Sequence, residues 1–183
     1  MSASNRPKWI CAALSVVLAT AMLTPQVKAA DLQAIEARLQ QLEDREDIRA
    51  LILAYGRALD GRDFHAFAGL FAEDAGEWVG GLGSAKGRDA IFELMDSTIG
   101  HNPQSSSQSN FHVFSNEQIV IDGDTAGAVT KWIFVVQDQT ENSPQWLYLG
   151  HYNDTYIREE GDWRFLRREA FTDIPVQDTP AVD

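Results

Sequence analysis

The chain has 183 residues, with 15 basic against 27 acidic side chains and a formal net charge of −12. That length suits one domain, and the acidic balance excludes nucleic acid or an anionic membrane surface as the main partner, since both reward clustered Lys and Arg. A single cysteine, Cys11, rules out an intramolecular disulfide, a Cys-based zinc site and an iron–sulfur cluster.

The N-terminus reads as a secretory signal peptide over residues 1–29. Arg6 and Lys8 precede a charge-free apolar run from Trp9 to Leu23, and Val27-Lys28-Ala29 supplies a cleavage site. The run is shorter than the ~20 residues a spanning helix needs. Cys11 opens the run rather than closing it, which argues against a lipoprotein. Contact with a membrane is therefore expected only through an uncleaved signal segment. The mature chain has no thiol, and a periplasmic or secreted location is expected. The domain is expected over 30–175, with a short tail at 176–183.

From Asp31 to Leu42, Leu32, Ile35, Leu39 and Leu42 recur at helical spacing between charges, predicting an amphipathic helix. Asp44 resembles the N-cap of a second helix carrying Ile48, Leu51, Ile52, Tyr55 and Leu59, with Gly61 as its stop. Asp63 reads as the cap of a short helix through Phe64, Phe67 and Phe71. A short strand over Glu77–Leu82 then precedes a helix opened by Lys86-Gly87-Arg88, with Ile91, Leu94, Met95 and Ile99 as its buried stripe. Segments 110–121, 126–137, 145–158 and 163–172 are rich in β-branched and aromatic residues. The turns between them are Asp122-Gly123-Asp124, Asn142-Ser143-Pro144 and Glu160-Gly161-Asp162. Helices followed by an antiparallel meander make the class α+β. A sheet this long hides its apolar face by curling over the helices or by pairing with another subunit; when curled, it encloses a pocket.

Four histidines are candidates for chemistry. His65, in a charged helix start, and His101, in a polar loop, read as solvated. His112 alternates onto one face with Asn110 and Phe114, and is either a core histidine with one hydrogen bond or a base. His151 has the same ambiguity and shares a face with Leu147, Leu149 and Asn153. A buried imidazole needs a carboxylate to fix its tautomer and stabilise its cation. Asp60, closing a long apolar helix, either faces a cavity or is an exposed C-terminal residue. Such an acid opposes the helix dipole and calls for a compensating partner. Tyr55 is about 140° from Asp60 around an ideal helix, so the two share a site only if the helix deforms or ends near Leu59. No nucleophile elbow, phosphate loop or metal-spaced pair of histidines is present. Arg167-Arg168 reads as solvated surface.

The segments Tyr55-Gly56-Arg57-Ala58-Leu59-Asp60-Gly61-Arg62-Asp63-Phe64, Leu70-Phe71-Ala72-Glu73-Asp74-Ala75 and Lys86-Gly87-Arg88 resemble the opening of SnoaL-like domains. Gly123-Asp124-Thr125-Ala126, Gly150-His151-Tyr152-Asn153-Asp154 and Gly161-Asp162-Trp163-Arg164-Phe165 continue the likeness, which runs from about Ala34 to Phe171. These domains belong to the nuclear transport factor 2-like superfamily, an α+β cone whose curved antiparallel sheet and N-terminal helices enclose an apolar pocket. The fold hosts isomerases, dehydratases, cyclases and non-catalytic binders alike. Within it, the Tyr-x4-Asp helix end and the strand His resemble bile acid 7α-dehydratase, scytalone dehydratase and hexachlorocyclohexane dehydrochlorinase. That resemblance implies an Asp–His dyad at Asp60 and His112, an acid-assisting Tyr55 and an accessory Arg168. The second histidine of scytalone dehydratase has no counterpart at His151, which stays an accessory candidate on its own setting. The implied function is a cofactor-independent lyase or isomerase, dehydratase-like, acting on a small apolar cyclic molecule. A binder of an apolar ligand in the same pocket, lined by Trp132, Phe134 and Tyr152, is the alternative. No metal or cofactor is expected, and the resemblance implies a homodimer or homotrimer formed through the sheet.

Overall fold

In the computed structural model, residues 29–100, 110–138 and 140–175 are described; residues 1–28 of the expected signal segment, His101 and the expected tail from 176 lie outside them. Helix α1 spans Ala29–Asp60 without interruption, α2 spans Phe64–Gly69 and α3 spans Arg88–Met95, continued by a π-helical turn at Asp96–Gly100. The strands are β1 (Glu77–Gly80), β2 (Gly83–Lys86), β3 (Asn110–Asp122), β4 (Thr125–Gln137), β5 (Pro144–Glu159) and β6 (Asp162–Ile174). They form one curved, open sheet in the order β2-β1-β6-β5-β4-β3, antiparallel except for the parallel β1–β6 pair. The α+β class and all four long strands match the expectation. Among the described residues no helix is long and apolar enough to cross a membrane.

Two local readings are corrected. Asp44 does not cap a second helix. It sits inside α1, buried, and accepts hydrogen bonds from Gln40 Nε2, Trp163 Nε1 and Arg158 Nη2. Its side chain bonds outward to β5 and β6, so the helix runs through it. Burial alone would raise its pKa, but hydrogen bonds from Arg158, Gln40 and Trp163 hold it below the ordinary aspartate value. The second correction is β2, a short partner of β1 that the Gly-rich sequence conceals.

Burial follows the helical and strand periods. Ile48, Ile52 and Tyr55 of α1 pack with Phe67, Phe71, Ile91, Met95 and Phe165 in one core between the helices and the concave face of the sheet. Asp63 caps α2 as expected, accepting from Ala66 N at 2.9 Å. A bulge at Asn116 and Glu117, with Asn116 at φ 54°, changes the alternation of β3. Asn110, His112 and Phe114 therefore face the concave side before it, and Ile119 and Ile121 after it. Further bulges in β4–β5 and β5–β6 bend the sheet around the helices.

Candidate active site

Helix α1 ends where the sequence places its stop. Gly61 N donates to Arg57 O at 2.9 Å and Asp63 N to Ala58 O at 2.9 Å, so the chain turns away just after Asp60. Gly56 lets this end of the helix lie close to β3, because a Cβ there would meet the Phe114 ring at 2.6 Å. The approach brings Asp60 against the start of β3. Its carboxylate accepts from Asn110 Nδ2 at 2.8 Å, from the His112 backbone N at 2.8 Å and from His112 Nδ1 at 2.6 Å. An ionised carboxylate only accepts, so in the neutral imidazole the Nδ1 contact selects the tautomer that carries its proton on Nδ1 and its lone pair on Nε2. Both side chains are largely shielded from solvent, at 12% exposure for His112 and 19% for Asp60.

His112 lines a cavity of about 520 Å³ between α1 and the concave sheet, within the range of small-molecule sites. Aromatic rings dominate its wall. Phe134 lies 4.7 Å from the imidazole between centroids, and Trp132 and Tyr152 continue the surface. Tyr55 also lines it, from the last turns of α1, opposite His112 on β3. Asp60 acts on the cavity through the imidazole rather than bordering it itself. The pocket residues Trp132, Phe134 and Tyr152 all stand in the wall, joined by Tyr148, Asn110 and Arg62.

Trp78, on β1, is a site residue that sequence reasoning missed. Its indole Nε1 donates to the Tyr55 hydroxyl at 3.0 Å within the buried wall. An indole N–H only donates, so the Tyr55 oxygen is the acceptor and its own proton is directed elsewhere. Burial pushes the Tyr55 phenol above its ordinary pKa, against the nearby Arg168 charge and the Trp78 hydrogen bond. Burial raises Tyr152 well above it too, with the neighbouring Tyr55 adding to the effect. Both rings are therefore O–H donors at neutral pH. Nothing in the short segment Glu77–Leu82 singles Trp78 out, because its partner lies 23 residues away on another element.

The accessory candidates fall elsewhere. Arg168 is fully buried, behind Tyr55 and Tyr152 rather than on the cavity surface. Its Nε and Nη2 donate to the two oxygens of Asp154 at 2.8 and 2.7 Å, and its guanidinium stacks 4.1–4.2 Å from the rings of Tyr55, Tyr152 and Phe165. The reading of Arg168 as solvated surface is thereby corrected: strand alternation after the β5–β6 bulge turns it inward, and Arg167 outward to Glu77 and Glu169. His151 lies on the convex face, where Nδ1 meets Asp173 Oδ1 at 2.8 Å and the ring stacks on Phe171. The two histidines thus occupy opposite sides of the sheet. Among the described residues no group of three or more His, Cys, Asp or Glu side chains is arranged to hold a metal ion.

The N-terminal helices packed on a curved, open six-stranded sheet define a nuclear transport factor 2-like α+β protein. The SnoaL-like domain pattern matches residues 40–169, and the chain belongs to the SnoaL-like family. It is 28% identical over 134 residues to the uncharacterized protein Rv2910c of Mycobacterium tuberculosis, covering 70% of this chain and 84% of that one. Its fold is similar to that of an NTF2-like protein from Novosphingobium aromaticivorans, with TM-score 0.70 and 30% identity over 82% of this chain and 94% of the other. A protein of the same organism, provisionally assigned as a scytalone dehydratase, superposes with TM-score 0.57 and 26% identity, over 72% and 85% of the two chains.

Proposed function

We propose that the protein is an exported lyase or isomerase of the dehydratase type that needs no cofactor and acts on a small apolar cyclic molecule held in the aromatic cavity. The observation that carries this reading is the 2.6 Å contact between His112 Nδ1 and Asp60 at the cavity wall, which leaves Nε2 as a base facing an apolar chamber. In the proposed step Nε2 takes a proton from a carbon next to an activating carbonyl. The C–H electron pair becomes the new double bond, and Asp60 stabilises the imidazolium. In an elimination the C–O electron pair departs with the hydroxyl oxygen, which takes the proton back from the imidazolium Nε2–H and leaves as water, so that His112 returns to its neutral form. Tyr55 donates its hydrogen bond to the enolising or leaving oxygen. The likeness to the provisionally assigned scytalone dehydratase supports elimination over other proton transfers.

The test is a mass-spectrometric screen of hydroxylated steroids, terpenoids and aromatic polyketides for loss of water. Turnover by the parent and a loss of about 10²–10⁴-fold in His112→Ala are expected. A co-purifying ligand that returns chemically unaltered, and is held equally well by His112→Ala, would instead identify a binding protein.

A further inference from the structure

Asn110 opens β3 and borders the cavity two residues before His112, on the same face of the strand. Its Nδ2 donates to Asp60 Oδ1 at 2.8 Å, the oxygen that also takes His112 Nδ1. The dyad is oriented without this bond, because His112 alone supplies a donor to each carboxylate oxygen, Nδ1 to Oδ1 and the backbone N to Oδ2. What the bond does fix is the amide. A carboxylate only accepts, so it selects the orientation with Nδ2 toward Asp60 and the carboxamide Oδ1 turned the other way. Asp60 stands behind the wall and Asn110 stands in it, so Oδ1 is left to the cavity. Among the described residues no group donates to that oxygen.

We propose that Asn110 Oδ1 receives the hydroxyl of the substrate and is the group by which the cavity selects an alcohol. The choice of a leaving hydroxyl rests on the elimination proposed above. Among the described side chains of the wall, the Tyr55 and Tyr152 phenols are protonated donors, and Thr98 gives its hydroxyl proton to Leu94 O. Only His112 Nε2 and Asn110 Oδ1 accept without being able to donate, and Nε2 is committed to the proton at carbon. Both groups hang from one Asp60 oxygen, so a donor held at Oδ1 lies beside the base. A hydroxyl suits this place because it acts in two directions. Its O–H donates to Oδ1, and its lone pairs remain for the proton that returns from Nε2. A halide or an ether has no hydrogen to offer and leaves the amide oxygen unpaired in an apolar wall. The class of substrate is therefore a small cyclic β-hydroxy ketone, with its hydroxyl on the carbon next to the one that loses its proton. Tyr55 is then the donor to the ketone oxygen.

The test is a binding comparison on the full chain with two probes, 3-hydroxycyclohexanone and cyclohexanone, which differ in that hydroxyl alone. Asn110→Leu is expected to weaken the hydroxy ketone roughly five- to fiftyfold in an NMR titration, and cyclohexanone by less than about twofold. The His112 Nδ1 proton, read from its low-field resonance, should persist in the variant, since both bonds from His112 to Asp60 remain. Asn110→Ala makes the same comparison without the bulk of leucine. If Asn110 served only to hold Asp60, the variants would weaken both ketones alike. Equal weakening of the two, or none, in a folded variant overturns the proposal. The comparison needs no turnover, so a failure of the proposed reaction is seen separately, as unaltered compounds in the water-loss screen, and leaves the role of Asn110 standing.

Discussion

The Arg168–Asp154 pair gives the sharpest stability prediction. Both side chains have zero exposure, the contact is bidentate, and Tyr156 Oη donates to the same carboxylate at 2.8 Å. Asp154→Asn keeps the shape but removes the charge that faces the guanidinium. Burial disfavours a charged guanidinium, while the Asp154 carboxylate restores and reinforces it. Without it, an uncompensated cation remains between three aromatic rings, at a cost of about 3–5 kcal/mol. Against a typical total of about 5–15 kcal/mol that is a large share, and for a chain of this size it corresponds to a fall in Tm of about 6–20 °C. Urea unfolding followed by tryptophan fluorescence measures the loss, with an unchanged slope expected. The pair Asp154→Leu with Arg168→Met, which removes both charges together, should be more stable than Asp154→Asn. An Asp154→Asn protein within about 1 kcal/mol of the parent would refute the reasoning, and with it the view that this pair supports the Tyr55 and Tyr152 rings.

Asp60→Asn should lower turnover about 10²–10⁴-fold in a steady-state assay, because the amide cannot stabilise the charged ring. Trp78→Phe should cost roughly tenfold in kcat by releasing the Tyr55 hydroxyl. Tyr55→Phe should also destabilise the fold by about 1–3 kcal/mol, since it strands the buried indole N–H; calorimetry separates the two effects. His151→Ala and His65→Ala should leave turnover unchanged, as neither side chain borders the cavity. Asp44, with its folded pKa below the unfolded value, contributes stability above the ordinary aspartate pKa that is lost as pH falls through the lower folded one. An Asp44→Asn protein should therefore show a flatter acid limb in pH-dependent melting, at lower stability near neutrality.

The long strands were legible because turn residues bracket each β-rich segment, and Asp63, Gly61 and the Gly87–Arg88 start were legible because caps and stops are local signals. Asp60 and His112 could be named from the segments they occupy. Their contact could not be read, since it depends on Gly56 letting α1 approach Phe114 across more than fifty residues of sequence. The inward turn of Arg168 depends on a bulge between β5 and β6 that alternation alone does not reveal. Asp44 misled for a related reason: a helix-interior aspartate with long-range donors is, from its neighbours, indistinguishable from a cap. The stripe of Leu32, Ile35, Leu39 and Leu42 has the right period but stays exposed, since nothing local says which side of α1 the sheet will take.

The central claim is that His112, oriented by Asp60, moves a proton at carbon. The most direct measurement takes a substrate from the water-loss screen, deuterated at the carbon next to its carbonyl, and compares the parent with His112→Ala in the presence and absence of added imidazole. The account predicts that deuteration slows the parent, that His112→Ala loses about 10²–10⁴-fold in turnover, and that imidazole restores part of it. A folded His112→Ala protein that turns the substrate over at the parent's rate would contradict it.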